Sequence, residues 1–286
     1  MSKIQSSIQK ALEKTRDAAR DSTQDRNKQS GHQNRREQKD RRDKPTASGV
    51  FRVFQFAHPQ KKTMEESRIV AAVEDRVAKS AYNLLRTRVL HRMRNNSWRT
   101  LLVTSPGPGE GKTLTASNLA ISLSGDVNQS VILVDLDLQR SSIAKYLGIE
   151  VDTKSGVGDF LQGNAEISDI VYTPDDMARI SLLPNREPVD NPSDLLGSPR
   201  MKELVAWLRD QSDKSIVIFD MPPVLACDDV LAFCPEVDAI LLIAAQGITD
   251  RSRLEKSVEL LADYNLLGVV LNKATQMDGN DSYSYY

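Results

Sequence analysis

Residues Ser105 to Thr113 read SPGPGEGKT, between the apolar run Leu101 to Val103 and a stretch of helical character from Leu114 to Leu123. The glycines at 107, 109 and 111 let the chain turn tightly and leave backbone N–H groups pointing inward. A helix starting directly afterwards adds the partial positive charge of its N-terminus, so the loop is shaped to cradle phosphate. Lys112 can reach terminal phosphates, and the Thr113 hydroxyl can ligate Mg²⁺. The general pattern G-x-x-x-x-G-K-[ST] asks for glycine where Pro106 stands, and Gly107 and Gly109 supply the turn instead.

Two apolar runs further on end in acids. Val131 to Val134 leads into Asp135-Leu-Asp137, and Ile216 to Phe219 leads into Asp220-Met-Pro-Pro223. A buried strand ending in Asp puts a carboxylate opposite the loop threonine, where it accepts from Mg²⁺-bound water. Thr113, Asp135 and Asp220 are the expected metal set. Carboxylates at i and i+2 of an extended segment point the same way. Asp135 and Asp137 can therefore share metal coordination with orientation or deprotonation of an attacking hydroxyl. Lys112, Asp135 and Asp137 are the expected catalytic residues, with a purely structural Asp-x-Asp turn as the competing reading. Nucleotide contacts are expected from Gly107, Gly109, Glu110, Gly111, Lys112, Thr113 and Leu114.

These side chains need a frame. From Thr100 onward short apolar strands alternate with helices: strands at 100–104, 131–135, 180–183, 215–220, 238–244 and 267–272, helices near 112–124, 141–147, 199–210 and 250–264. Ser198 before Pro199 is a strong helix start, because proline at the first position loses no needed N–H. Thr249 or Asp250 is placed to cap the last helix, whose apolar face is Leu254, Val258 and Leu261. Strands that are apolar throughout, each followed by a helix, predict an α/β fold. The expectation is a P-loop NTPase with a mostly parallel sheet covered by helices on both faces and a disordered N-terminal arm. Catalytic loops gather at the carboxyl ends of such strands. Upstream, Ile69, Val73, Val77, Leu84, Leu85 and Val89 predict one helix from Met64 to Arg94. Val50 to Phe56 alternates apolar and polar residues, as an edge strand or docking peptide does.

With 286 residues the chain suffices for one large α/β domain or two smaller ones. Its net charge of −1 gives no overall field for nucleic acid, and no nucleic-acid partner is expected. The charge is uneven: residues 1–44 hold 13 Lys/Arg against 7 Asp/Glu. That arm lacks the apolar residues for a core, which predicts disorder, with contact to acidic lipid headgroups as the alternative to a solvated tail. Cys227 and Cys234, without a His or Cys cluster, argue against a zinc site and a disulfide. The longest apolar run, Ala239 to Ala245, is far short of the ~20 residues that span a bilayer, and the charged N-terminus does not read as a secretory signal. A cytoplasmic protein is expected.

Together SPGPGEGKT, ILVDLD and IVIFDMPP resemble the Walker A, A′ and B motifs of bacterial tyrosine autokinases, in particular the soluble type associated with capsule and exopolysaccharide. The likeness runs from about Arg68 to Lys273. It takes in Leu85-Arg-Thr-Arg88, Asn191-Pro-Ser-Asp-Leu-Leu196 and Leu267-Leu-Gly-Val-Val-Leu-Asn272, and the chain ends in a tyrosine cluster, Tyr283-Ser-Tyr285-Tyr286. The resemblance implies ATP and Mg²⁺ as cofactors, base recognition by Asn272, and phosphorylation of Tyr283, Tyr285 and Tyr286 in trans within a homo-oligomer. It also implies a partner, the cytoplasmic segment of a membrane-embedded polysaccharide chain-length regulator, which would hold the kinase at the inner face of the membrane. The matching division is a basic arm at 1–48, a docking or edge segment at 49–63, a kinase domain at 64–275 and a tyrosine-bearing tail at 276–286.

Three features depart from the family pattern, one of them the short tail with its three tyrosines. The A′ motif continues as DxDxR, but Gln139 stands at the arginine position, with Arg140 next. The oligomerisation motif E-E-x-R-x-x-R-T appears as Ser80-Ala-Tyr-Asn-Leu-Leu-Arg-Thr87, keeping only Arg86 and Thr87. A nucleotide-binding pseudokinase is therefore one alternative reading. The other is an ATPase switch of the partition and division-site class, which carries a signature lysine where this chain has Gly107.

Overall fold

Along each central strand, alternate side chains leave for opposite faces of one sheet. Leu102, Ile132, Val134, Val217 and Phe219 enter one buried cluster, while Leu101, Val103, Val131, Leu133, Ile216 and Ile218 enter another. Strands that are apolar on both sides can be satisfied only if both faces are covered. The computed structural model describes residues 55–70, 72–149, 155–175, 177, 179–211 and 214–274.

In chain order the elements are β1 (Gln55–Ala57), α1 (Lys61–Glu66), α2 (Arg76–Asn95), β2 (Thr100–Thr104), α3 (Lys112–Ser124), β3 (Ser130–Asp135), α4 (Ile143–Tyr146) and α5 (Val157–Leu161). There follow β4 (Tyr172–Pro174), β5 (Ile180–Leu183), α6 (Pro192–Leu196), α7 (Pro199–Asp210), β6 (Ser215–Asp220), α8 (Asp229–Phe233), β7 (Ala239–Ala245), α9 (Arg251–Leu260) and β8 (Leu266–Asn272). Among the described residues the sheet has eight strands in the order β1-β4-β5-β3-β6-β2-β7-β8. Every neighbouring pair is parallel except β4 with β5. The expected α/β fold with a mostly parallel sheet is borne out. In the sheet β6 lies between β3 and β2, and Asp135 is in register with Asp220.

Local signals account for several boundaries. Ser198 caps α7 through a bond from the Met201 N–H at 3.3 Å, with Pro199 at the first helical position. Asp250 caps α9 by accepting from the Arg253 N–H at 2.8 Å.

The single helix expected from Met64 to Arg94 is instead two, α1 and α2, with a break between them. Arg68 takes a φ of 60° there, a left-handed backbone that ends the first helix. Burial drives the break: Ile69 and Val70 dive into the core. Asn118 on α3 satisfies the backbone they expose, accepting from the Val70 N–H at 2.8 Å and donating to the Arg68 carbonyl at 3.2 Å. Asp75 then starts α2 afresh by accepting from Val77 and Ala78. The predicted apolar face is corrected too. Val89, Leu90 and Met93 are buried, whereas Val77 and Leu84 face outward, 64% and 55% exposed.

Residues 1–54 and 275–286 lie outside the described residues, and with them the basic arm, the first six residues of the docking or edge segment and all three tail tyrosines. Among the described residues no helix is long and apolar enough to cross a membrane. Cys227 and Cys234 are free thiols.

Candidate functional site

The loop from Ser105 to Gly111 emerges from β2 at the carboxyl end of the sheet and opens α3 at Lys112. Gly109 and Gly111 take φ values of 74° and 94°, which side-chain-bearing residues rarely adopt. A Cβ on Gly111 would also stand 2.1 Å from Asn272 Nδ2. Asn272 closes β8 and donates to the Glu110 carbonyl at 2.9 Å, while Lys273 Nζ donates to the Gly109 carbonyl at 2.7 Å. Asn272, expected at the nucleotide base, thus reaches the rim of the phosphate loop.

Glu110 turns its side chain inward. It is 1% exposed and accepts from the Gly107 N–H at 2.7 Å and from the Thr249 hydroxyl at 2.6 Å. The Gly107 N–H is therefore engaged inside the loop. Of the two residues proposed as caps for α9, Asp250 takes that role and Thr249 braces the loop. Sequence reasoning placed Glu110 among the nucleotide contacts and missed the brace. An acid in a phosphate-binding loop was the available signal, since its charge must be turned away from phosphate.

Three acids converge on Lys112. Its Nζ lies 2.8 Å from Asp137 Oδ2, 3.6 Å from Asp220 Oδ2 and 3.3 Å from the Thr113 hydroxyl. Burial works against the ammonium charge, but Asp220, Asp137 and Asp135 outweigh it and hold Lys112 above its ordinary range. Thr113 donates to Asp220 Oδ2 at 2.6 Å. Burial raises the Asp220 carboxyl to about 7, helped by the charges of Asp135 and Asp137 and opposed by Lys112 and Thr113.

The other oxygen of Asp220, Oδ1, is buried without a hydrogen-bond partner. An orphaned carboxylate oxygen beside a threonine hydroxyl fits a divalent cation or one of its waters. No cluster of three or more His, Cys, Asp or Glu able to hold a metal occurs among the described residues. A hard cation here would complete its shell with nucleotide oxygens and water, as Mg²⁺ does in phosphate sites.

The two carboxylates of the Asp-x-Asp pair sit in different surroundings. Asp135 Oδ2 accepts from the Ser141 hydroxyl at 2.7 Å and from the Ser142 and Ile143 N–H groups at 2.9 and 3.0 Å. It is fully buried and ties the start of α4 to the end of β3. Burial raises its carboxyl, against those bonds and Lys112. Asp137, next to Lys112, lines the cleft.

That cleft, of about 590 Å³, has the loop and Lys112 on one side and Asp137, Gln139 and Arg140 beside them. The same cleft is lined by Asn191, Pro192 and Ser193 and by Pro222, Pro223 and residues 226–229. Asn191 takes a φ of 50° to start α6, a position that asparagine tolerates better than most residues. The segment 226–229 was not anticipated, and no spacing in the sequence marks it. It carries Cys227, whose thiol is pushed up to about 11, chiefly by burial. Of the surviving oligomerisation residues, Arg86 donates to the Ser122 carbonyl at 3.0 Å within the same chain.

Parallel strands, a phosphate loop at a helix start and a strand-end Asp bonded to the loop threonine define a nucleotide-binding P-loop protein. The profile of the CobQ/CobB/MinD/ParA nucleotide binding domain matches residues 101–284, and the chain belongs to that family. The tyrosine-protein kinase wzc of Salmonella typhimurium is 30% identical over 214 residues, covering 73% of this chain and 29% of the relative. The chain thus spans less than a third of that protein's length. The tyrosine-protein kinase YwqD of Bacillus subtilis is 28% identical over 221 residues, covering 76% of this chain and 90% of the relative. The VpsO kinase domain aligns with a TM-score of 0.61 at 29% identity, covering 70% of this chain and 97% of that domain. The resemblance to bacterial tyrosine kinases read from the motifs is borne out.

Proposed function

We propose that this chain is an ATP- and Mg²⁺-dependent protein-tyrosine kinase that phosphorylates Tyr283, Tyr285 and Tyr286 of a second copy. The observation that carries the proposal is the 2.8 Å contact between Lys112 and Asp137 in a cleft one wall of which is the phosphate loop. ATP binding would draw the ammonium from Asp137 to the β- and γ-phosphates and leave Asp137 free to accept a proton. Thr113 and Asp220 would hold Mg²⁺, which supplies charge neutralisation at the phosphates. The tyrosine oxygen then bonds to the γ-phosphorus and its proton goes to Asp137. The bond from that phosphorus to the β–γ bridging oxygen breaks, and ADP leaves.

The biological setting rests on the resemblance of the motifs. We place the kinase in regulation of exopolysaccharide or capsule polymerisation or export. Its activating partner would be the cytoplasmic segment of a membrane-embedded chain-length regulator, and its position the inner face of the membrane. Exposed Val77 and Leu84 on α2 support self-association. Gln139 on the cleft wall favours one second reading, a nucleotide-binding pseudokinase.

Incubating the purified full chain with Mg-ATP, with and without the partner segment, and mapping phosphotyrosine by mass spectrometry separates the readings. Phosphotyrosine on the tail that disappears in Lys112→Met supports the kinase. Nucleotide binding with no phosphotyrosine under either condition supports the pseudokinase.

A further inference from the structure

We propose that Arg253 is a positioning residue for the phosphate loop, filling from α9 the side-chain space that Gly107 leaves open. A Cβ built on Gly107 would stand 2.0 Å from Arg253 Nη2, 2.7 Å from Cζ and 2.9 Å from Nη1. The guanidinium therefore occupies the position where a side chain at 107 would begin. Its Nη2 also donates to the Pro106 carbonyl at 3.4 Å.

The opposite side of the same residue is gripped as well, where the Gly107 N–H donates to Glu110 at 2.7 Å. Gly107 is thus held between a buried carboxylate and a partly buried cation. Both holds trace back to one turn of chain. Thr249 donates to Glu110 and accepts from the Ala245 N–H at 2.8 Å, and Asp250 fixes the Arg253 backbone. The start of α9 thereby sets the Pro106–Gly107 arm of the loop through two side chains four residues apart. A loop held open before nucleotide arrives loses less conformational freedom on binding, and that difference is measured as affinity.

The same geometry explains the residue at 107. Gly107 is not at positive φ, so its backbone would accept a side chain without strain. What excludes the side chain is the Arg253 guanidinium. Because that group is the end of a flexible side chain, a methyl at 107 displaces it rather than breaking the fold. Gly107→Ala and Arg253→Ala should then cause one and the same loss.

The test is a double-mutant cycle on the full chain, read as affinity for fluorescently labelled ADP with Mg²⁺ and as melting temperature. Each single variant should weaken nucleotide binding by about three- to tenfold, the loss of one partly exposed charged hydrogen bond, with the melting temperature nearly unchanged. Gly107→Ala/Arg253→Ala should be no weaker than either alone, and Arg253→Lys should restore most of the affinity. Wild-type affinity in Arg253→Ala, or full additivity in the double variant, overturns the proposal. If Gly107→Ala fails to fold, the Arg253→Ala and Arg253→Lys pair decides by itself. The readout is nucleotide binding, so the outcome is independent of whether phosphate goes to tyrosine.

Discussion

Lys112 and Asp137 stand 2.8 Å apart, and the same lysine lies 3.6 Å from Asp220. One ammonium answers two carboxylates from neighbouring strand ends, at the point where the phosphate loop becomes helix. Incoming phosphate must therefore compete with Asp137 for Lys112.

Asp137→Asn should separate binding from chemistry. Removing the competing charge leaves Lys112 free for phosphate, so nucleotide affinity should stay within about threefold of wild type or rise, while phosphotransfer falls by about 10²–10⁴. Titration with labelled ADP beside single-turnover phosphotyrosine formation reads both. A parallel collapse of nucleotide affinity would reassign Asp137 to the metal.

Lys112→Met removes the phosphate-binding charge and leaves Asp137 and Asp220 facing each other unneutralised. Phosphotransfer should drop by at least about 10², the scale set by losing one charge-stabilising group. Retained tail phosphorylation in this variant would mean that the phosphate loop does not serve the reaction.

Asp220 carries a pH signature. Its carboxyl is raised to about 7 in the folded protein. An unfolded aspartate titrates near 3.9. Between those values the native state binds more protons than the unfolded one, so stability falls as pH rises from about 4 to about 7. Asp220→Asn removes that contribution. Without nucleotide or Mg²⁺, wild type should lose about 2 kcal/mol relative to the variant between pH 5.5 and 7. Urea unfolding at the two pH values measures this; parallel pH profiles would refute it.

Asn118 should matter to stability more than an interior asparagine usually does. Asn118→Ala leaves the Val70 N–H and the Arg68 carbonyl without their partner, a loss of about 1–3 kcal/mol. Chemical denaturation should show the drop, and a change below about 0.5 kcal/mol would mean that water replaces the amide.

Much of the frame was legible because its signals are local. Strands buried on both faces have to be apolar throughout, and β2, β3, β5, β6, β7 and β8 all fall within one residue of the runs read from the sequence. The α1–α2 break was not legible. Ile69 and Val73 keep helical spacing, and what ends the helix is a pair of hydrogen bonds to Asn118 about fifty residues away. The Asp-x-Asp pair shows the same limit. Residues two apart look equivalent until the Ser141–Ile143 turn folds back onto Asp135 alone.

By itself the sequence determined the parallel sheet, the phosphate loop and the family, because strand burial, glycine turns and the Gly-Lys-Thr start of a helix act within a few residues of chain. Only the tertiary structure decided which carboxylate faces the cleft, which other residues line it, and that the loop is gripped from α9 and β8. The grip on the loop joins residues more than a hundred positions apart, such as Glu110 with Thr249 and Gly107 with Arg253. No local pattern encodes such distances; they exist only once the sheet brings the ends of its strands together.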